Sequence, residues 1–286
     1  MKTTKIYRYL SKIKGNKKFF AGAFTVAFIY FISIIGSFIL PSEYYRTGSF
    51  EPALPPNTKN FMGTDCLGRD ILAQLFRGIQ NSYKIGFIAA TLGTIIGATI
   101  GFISGYYGGF IDKVINVIVD VFLSVPSLLF LILIAALISG GVTVETMALI
   151  ICITNWSWPA RQVRAQAMSL KRREFVYLSK LSGMGSMEII VKELMPHMFQ
   201  WMGANFINAF LSAVLTEAGL SILGLGPQRD VTLGVMIYWA LSYSAIFRGM
   251  WWWIFPPVVT LIIVFFSLYI LHVGLDEIIN PKSKKV

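Results

Sequence analysis

Residues 19–40 read FFAGAFTVAFIYFISIIGSFIL, 22 consecutive positions without a charged side chain. As a helix this run is about 33 Å long at 1.5 Å per residue, enough to cross the roughly 30 Å hydrocarbon core of a bilayer. The next residues, Pro41, Ser42 and Glu43, lack the small-x-small pattern of a signal-peptide cleavage site, so the run predicts an uncleaved first span. Five more apolar runs follow, at 86–105, 114–138, 142–158, 198–223 and 251–273. Asp120 and Pro126 interrupt the third, Glu145 and Asn155 dilute the fourth, and Glu217 sits in the fifth. The runs predict an all-α membrane protein of six transmembrane helices. Composition points the same way: 55% of the 286 residues are hydrophobic, 14% are charged, and mean hydropathy is +0.65. A soluble domain carries roughly 25% charged residues. Disorder and a soluble enzyme with an ordinary surface are both excluded.

Basic residues outnumber acidic ones 25 to 14, but their distribution argues for topology rather than for nucleic acid. Seven lie in residues 1–18, seven in 161–196, and Lys113, Lys282, Lys284 and Lys285 fall on the same predicted face. Lysine and arginine concentrate on the cytoplasmic side of membrane proteins, so both termini are predicted to be cytoplasmic. The resulting organisation is a basic arm at 1–18, a first span at 19–40, an extracytoplasmic loop at 41–83, a five-helix core at 84–273 with a cytoplasmic loop at 161–196, and a tail at 274–286. Trp251, Trp252 and Trp253 fit an interfacial aromatic anchor. Cys66 and Cys152 form no disulfide framework, and His197 and His272 add no metal-ligand cluster.

Three patterns carry mechanism. Gly93, Gly97, Gly101 and Gly105 recur every fourth residue and form a smooth stripe of the kind that lets helix backbones approach closely in lipid. Tight structural packing is the plain reading, and a moving helix is the alternative. Asn205, Asn208, Ser212 and Thr216 share one helix face, either bonding to neighbouring helices or lining a path with Glu217, Asp120 and Pro126, since intramembrane polar groups face the bundle interior or a wet cavity. The segment 161–196 holds a predicted helix at 174–181, a break at 182–186 and renewed helix that stops at Pro196. It is a docking-surface candidate, with a solvated charged loop as the bland reading.

No G-x-x-x-x-G-K-[ST] is present to cradle ATP phosphates, and no G-x-S-x-G or H-E-x-x-H is present for catalysis. No catalytic residue and no metal site are predicted.

Four segments in order resemble the membrane permeases of dipeptide, oligopeptide and nickel ABC importers. Residues 62–70 (MGTDCLGRD) are similar to the G-T-D-x-x-G-R-D stretch of that group, residues 105–109 (GYYGG) and 120–127 (DVFLSVPS) to its next recurring segments, and residues 216–226 (TEAGLSILGLG) to its E-A-G-L-S-F-L-G-L-G signature. The first element resembles the second permease of a heterodimeric pair. Residues 177–196 are similar to the coupling motif E-A-A-x3-G-x9-I-x-L-P: Gly183 and Pro196 keep its separation, while Tyr177-Leu178-Ser179, Glu193 and Met195 depart from it. The resemblance implies a type I ABC importer architecture with a cytoplasmic coupling helix. Phe175, Val176, Tyr177, Leu178, Ser179, Lys180, Leu181, Ser182, Gly183, Met184, Gly185 and Pro196 would then dock an ATPase. It implies as partners a paralogous permease, two ATP-binding subunits holding ATP and Mg, and an extracytoplasmic solute-binding protein delivering peptide, metal chelate or oligosaccharide. A stand-alone channel or secondary transporter is the rival class, distinguished by independence from ATP and partners.

Overall fold

A computed structural model describes residues 16–138 and 141–279; residues 1–15 of the basic arm and 280–286 of the tail lie outside the described residues. In chain order the helices are α1 (Lys17–Ile39), α2 (Ile71–Tyr107), α3 (Gly109–Ser124), α4 (Ser127–Leu137), α5 (Val144–Asn155), α6 (Ser157–Leu170), α7 (Glu174–Leu181), α8 (Ser186–Ile189), α9 (Met195–Ile222), α10 (Leu233–Ser242) and α11 (Trp251–Ile279). The described residues contain no strand; a single antiparallel bridge joins Thr64 and Asp70. The all-α fold expected from the hydropathy is the one observed.

Helix α1 starts where Asn16 accepts the Phe19 amide at 3.1 Å and donates to the Gly274 carbonyl at 3.1 Å, so one side chain both caps α1 and ties it to α11. Helix α2 starts much earlier than the expected span. Asp70 caps it by accepting the Ala73 amide at 2.8 Å, and 37 residues follow, about 55 Å of helix. Residues 71–83 are therefore helical rather than part of a loop reaching to 83. Ile71, Leu75, Ile79 and Tyr83 recur every fourth residue and are buried, while Gln74, Arg77, Gln80 and Asn81 fill the positions between. This amphipathic pattern is invisible to a search for uninterrupted apolar runs.

The third expected span is two helices meeting at 85°. Proline has no amide hydrogen and disfavours helical backbone in the residue before it; Val125, ahead of Pro126, is extended at φ −80, ψ 130. The fourth expected span also divides. Helix α5 has 12 residues, and after Trp156 the chain continues as α6. Pro159 cannot donate to the Asn155 carbonyl, which breaks the ladder at that junction. Among the described residues four helices, α1, α2, α9 and α11, are long and apolar enough to cross a membrane, five if α3 and α4 count as one bent span. The fourth expected span, 142–158, is therefore not one continuous apolar helix.

Helix α2 is the axis of the bundle. Its first half packs with α9, α10 and α11 around Ile71, Phe210, Leu233, Trp253 and Leu268. Its last turns join Phe102 and Tyr106 to Val163, Val176, Ile189, Leu194 and Met198, a cluster under the α6–α9 connection.

Candidate functional site: a coupling surface and a polar cavity

The glycine stripe meets α6. A Cβ placed on Gly101 would lie 2.6 Å from the Ala160 carbonyl oxygen, and one on Gly105 would lie 2.7 Å from that of Arg164; Gly97 faces Trp156 and Pro159, and Gly93 faces Asn155. Gly97, Gly101 and Gly105 thus bring the α2 and α6 backbones together along the junction that Pro159 opens, and Gly93 seats the end of α5. Two ion pairs brace α6 on its other side. Arg164 donates to both carboxylate oxygens of Asp112 at 2.5 and 2.7 Å, and Arg161 pairs with Asp120. Asp120 is accordingly an exposed partner on α3 and does not line the cavity beside Pro126.

Helix α6 leads directly to the segment expected to dock an ATPase. Val176 is fully buried and Ser179 nearly so, Phe175 stacks on the His197 ring at 4.7 Å, and Met184 packs against the same cluster. These four expected docking residues face inward and anchor α7. The outer face presents Tyr177, Leu178 and Leu181, each about two-thirds exposed, beside Lys180 and Ser182. Gly183 has φ +84, with open space where a side chain would project, and its amide closes the turn onto the Lys180 carbonyl at 3.0 Å. Gly185 then precedes α8. Lys192, one turn beyond, pairs with Glu188 of α8 at 2.6 Å and holds that carboxylate below its usual range.

Pro196 does not stop the helix. Residues Ile190–Leu194 form a π turn in which the Met195 amide bonds to the Ile190 carbonyl, and α9 runs on through Pro196 to Ile222. The wider turn absorbs the hydrogen bond that proline cannot make.

The polar stripe on α9 divides along its length. Ser212 and Thr216 line an open cavity of about 310 Å³ with Phe122, Pro126, Thr154, Asn155 and Trp158. Asn205 and Asn208 are half-buried on the same helix face but closer to Pro196, and they do not line that cavity. Glu217 faces away from it. Its carboxylate is fully buried and accepts from Ser82 at 3.0 Å, Ser221 at 2.7 Å and Thr232 at 2.6 Å. Ser82 also accepts the Leu233 amide, and Thr232 caps α10 by accepting the Val235 amide. Glu217 therefore fastens α2, α9 and α10 together. Nothing in sequence joins Ser82 and Thr232 to it; a threonine ahead of the apolar run 233–240 was the available sign of α10's start.

The stretch 62–70 folds into a hub at the first end of α2. Asp65 accepts the Leu67 and Arg69 amides at 2.8 and 3.0 Å, the Arg69 Nε at 2.6 Å and the Gln74 side chain at 3.0 Å. Gly63 and Gly68 take φ +72 and +70, and the Trp252 indole donates to the Thr64 carbonyl at 3.3 Å. Trp252 is thereby a support for this hub rather than simply a membrane anchor. Cys66 is half-buried here; burial pushes its thiol up and Arg248, donating to Sγ at 3.0 Å, partly offsets this.

Residues 97–285 match the family model described as binding-protein-dependent transport system inner membrane component. The chain is 34% identical over 278 residues to the dipeptide transport system permease protein DppC of Bacillus subtilis, covering 96% of this chain and 85% of that one. It is 31% identical to OppC, an oligopeptide transport system permease protein of the same organism, over 96% of this chain and 88% of the relative. It is 34% identical over 200 residues to OppC of Mycobacterium bovis, covering 70% and 69%. In fold it resembles a chain of the MetNI methionine ABC transporter solved in inward-facing conformations, with TM-score 0.56 and 19% identity over 73% of this chain and 95% of that one. Helices joined by a glycine contact, an anchored surface helix and a family match over two-thirds of its length lead to one assignment: this chain belongs to the binding-protein-dependent transport system inner membrane component family and is a permease subunit of an ABC importer.

Proposed function

We propose that this permease imports short peptides and does so as one of two paralogous permease chains. Its named relatives are dipeptide and oligopeptide permeases. The cavity beside Pro126 mixes hydroxyl and amide groups from Ser212, Thr216, Thr154 and Asn155 with the rings of Phe122 and Trp158, a lining suited to peptide bonds and varied side chains alike. This cavity is open, so a second chain would complete the passage.

The observation that carries the coupling mechanism is the division of α7 into an anchored face and a free apolar face. In our reading the exposed Tyr177, Leu178 and Leu181 seat on an ATP-binding subunit, which holds ATP and Mg, and the termini lie on that same cytoplasmic side. A push on α7 passes through Val176 into α6. From there it reaches α2 through the glycine contact and α3 through Arg161 and Arg164. Such a transporter alternates between discrete packings whose balance the ATPases bias. A binding protein delivers peptide at the 62–70 end.

The test is uptake of a labelled dipeptide into vesicles that contain the whole assembly with its binding protein. ATP-dependent uptake, abolished by Leu181→Glu with membrane insertion intact, is the expected result. Uptake of another solute class only would overturn the peptide assignment, and undiminished peptide uptake by the Leu181→Glu assembly would overturn the docking assignment.

A further inference from the structure

Between α1 and α2 the structure holds a groove of about 640 Å³ that the transport pathway does not use. Helix α1 is pinned at both ends by glycines. Gly22 meets Leu271 and Gly274 meets Phe19 at one end, while Gly36 meets the Phe76 ring at the other. Between these contacts the helices part, and the walls come from Val26, Tyr30, Phe87, Ile88 and Phe210. Phe87 is 57% exposed, so the groove opens sideways, in the direction where a spanning helix meets lipid. On α2 it runs from Arg77 to Ile88, about 16 Å of helix, close to half of the roughly 30 Å hydrocarbon core.

The polar groups in this groove are few. Asn81 donates to the Val231 carbonyl at 2.7 Å, Gln80 to Ser33 and Ser37 at 2.8 and 2.7 Å, and Lys84 pairs with Glu145 at 2.5 Å. The Arg77 guanidinium has no ion pair or hydrogen bond with any described residue. It borders both this groove and a smaller cavity of about 150 Å³ edged by Ser37, Ser42 and Tyr45. A half-buried guanidinium without a counter-charge stands at the end of an apolar slot one leaflet deep. Guanidinium geometry matches phosphate oxygens bidentately, and the slot has the volume of an ordinary small-molecule site.

We propose that this groove binds a phospholipid with an anionic headgroup, one acyl chain lying along α1 and its phosphate on Arg77. The site rests on no assumption about the transported substrate. Its ligand is the membrane itself, and occupancy would fill the gap between α1 and the rest of the bundle.

The experiment is native mass spectrometry of the delipidated whole importer, titrated with phosphatidylglycerol and separately with phosphatidylcholine. Phosphatidylglycerol is expected to bind preferentially. Arg77→Gln should reduce that affinity about fivefold, the effect of one basic group near an anionic surface, while Arg77→Lys keeps most of it. Neither change touches a packed residue, so folding is preserved, and Ala27→Trp, which fills the slot, should remove the bound lipid. Equal binding of both lipids, or a preference unchanged by Arg77→Gln, overturns the proposal. So does a cysteine at Ala27 that crosslinks to the second permease chain, because the groove is then a protein interface.

Discussion

Fully buried, the Glu217 carboxylate depends on the hydroxyls of Ser82, Ser221 and Thr232 for its hydrogen bonds. Glu217→Ala strands these hydroxyls and leaves a hole, and is expected to cost about 2–5 kcal/mol. Glu217→Gln keeps an acceptor and the shape, and is expected to cost about 1 kcal/mol. Thermal unfolding of the purified importer measures both, and an unchanged melting temperature in Glu217→Ala would show that the carboxylate's hydrogen bonds are unimportant. Gly183 is a different case. Nothing lies within 4 Å of where its Cβ would be, but φ is +84, so any penalty belongs to the backbone alone. Gly183→Val should destabilise the turn by roughly 1–2 kcal/mol and weaken co-purification of ATPase subunits, whereas Gly183→Asn should be much milder because asparagine tolerates this conformation. Residues of this kind differ in how readable they are from sequence. A glycine at a turn announces itself by its type, while the role of Glu217 depends on partners up to 135 positions away and only folding brings them together.

At the scale of elements, the contact of α2 with α6 makes a sharp prediction. The atoms that meet a side chain at Gly101 are the Ala160 carbonyl oxygen, the Arg164 amide nitrogen and the Val163 Cβ of α6, none of which can rotate aside. Overpacking in a core costs typically 1–3 kcal/mol, and Gly101→Leu should exceed this and abolish recovery of folded protein. Gly203→Ala, whose added carbon would meet only Leu275 at 3.7 Å, is the control and should behave like the parent chain on size-exclusion chromatography. Recovery of folded Gly101→Leu protein would mean that the two helices are not in contact. The stripe was legible because its four-residue spacing is local. The partner was not, since α6 has the polar sequence SWPARQVRAQAMSL and attracts attention as a charged loop. The same logic explains α2's first three turns: mixed polarity concealed a helix that the uninterrupted runs of 19–40 and 251–273 displayed openly.

For the whole molecule, orientation is the property on which the coupling account turns. In a Cys66→Ser chain, Thr58→Cys should be labelled by a membrane-impermeant maleimide in intact cells, and Ser182→Cys only after permeabilisation. Thr58 is exposed, which makes it a better reporter than the half-buried Cys66. The reverse labelling would invert the protein and remove α7 from the ATPase side. Hydropathy and charge asymmetry expose this level of organisation well, because the bilayer acts on every residue at once. They miscount crossings where prolines act, at Pro126 and Pro159. The π turn before α9 has a further consequence, one of phase. A π turn is one residue more than an α-helix needs for the same path, and each residue of helix turns the chain by about 100°. Were residues 190–194 wound as ordinary α-helix instead, with no residue removed, α9 would be rotated about 100° against α8. If α8 held its seat, Ser212 and Thr216 would swing off the cavity wall and Glu217 would leave its three hydroxyls. The wide turn therefore acts as the timing mark that keeps the proposed coupling surface in step with the cavity beside α9.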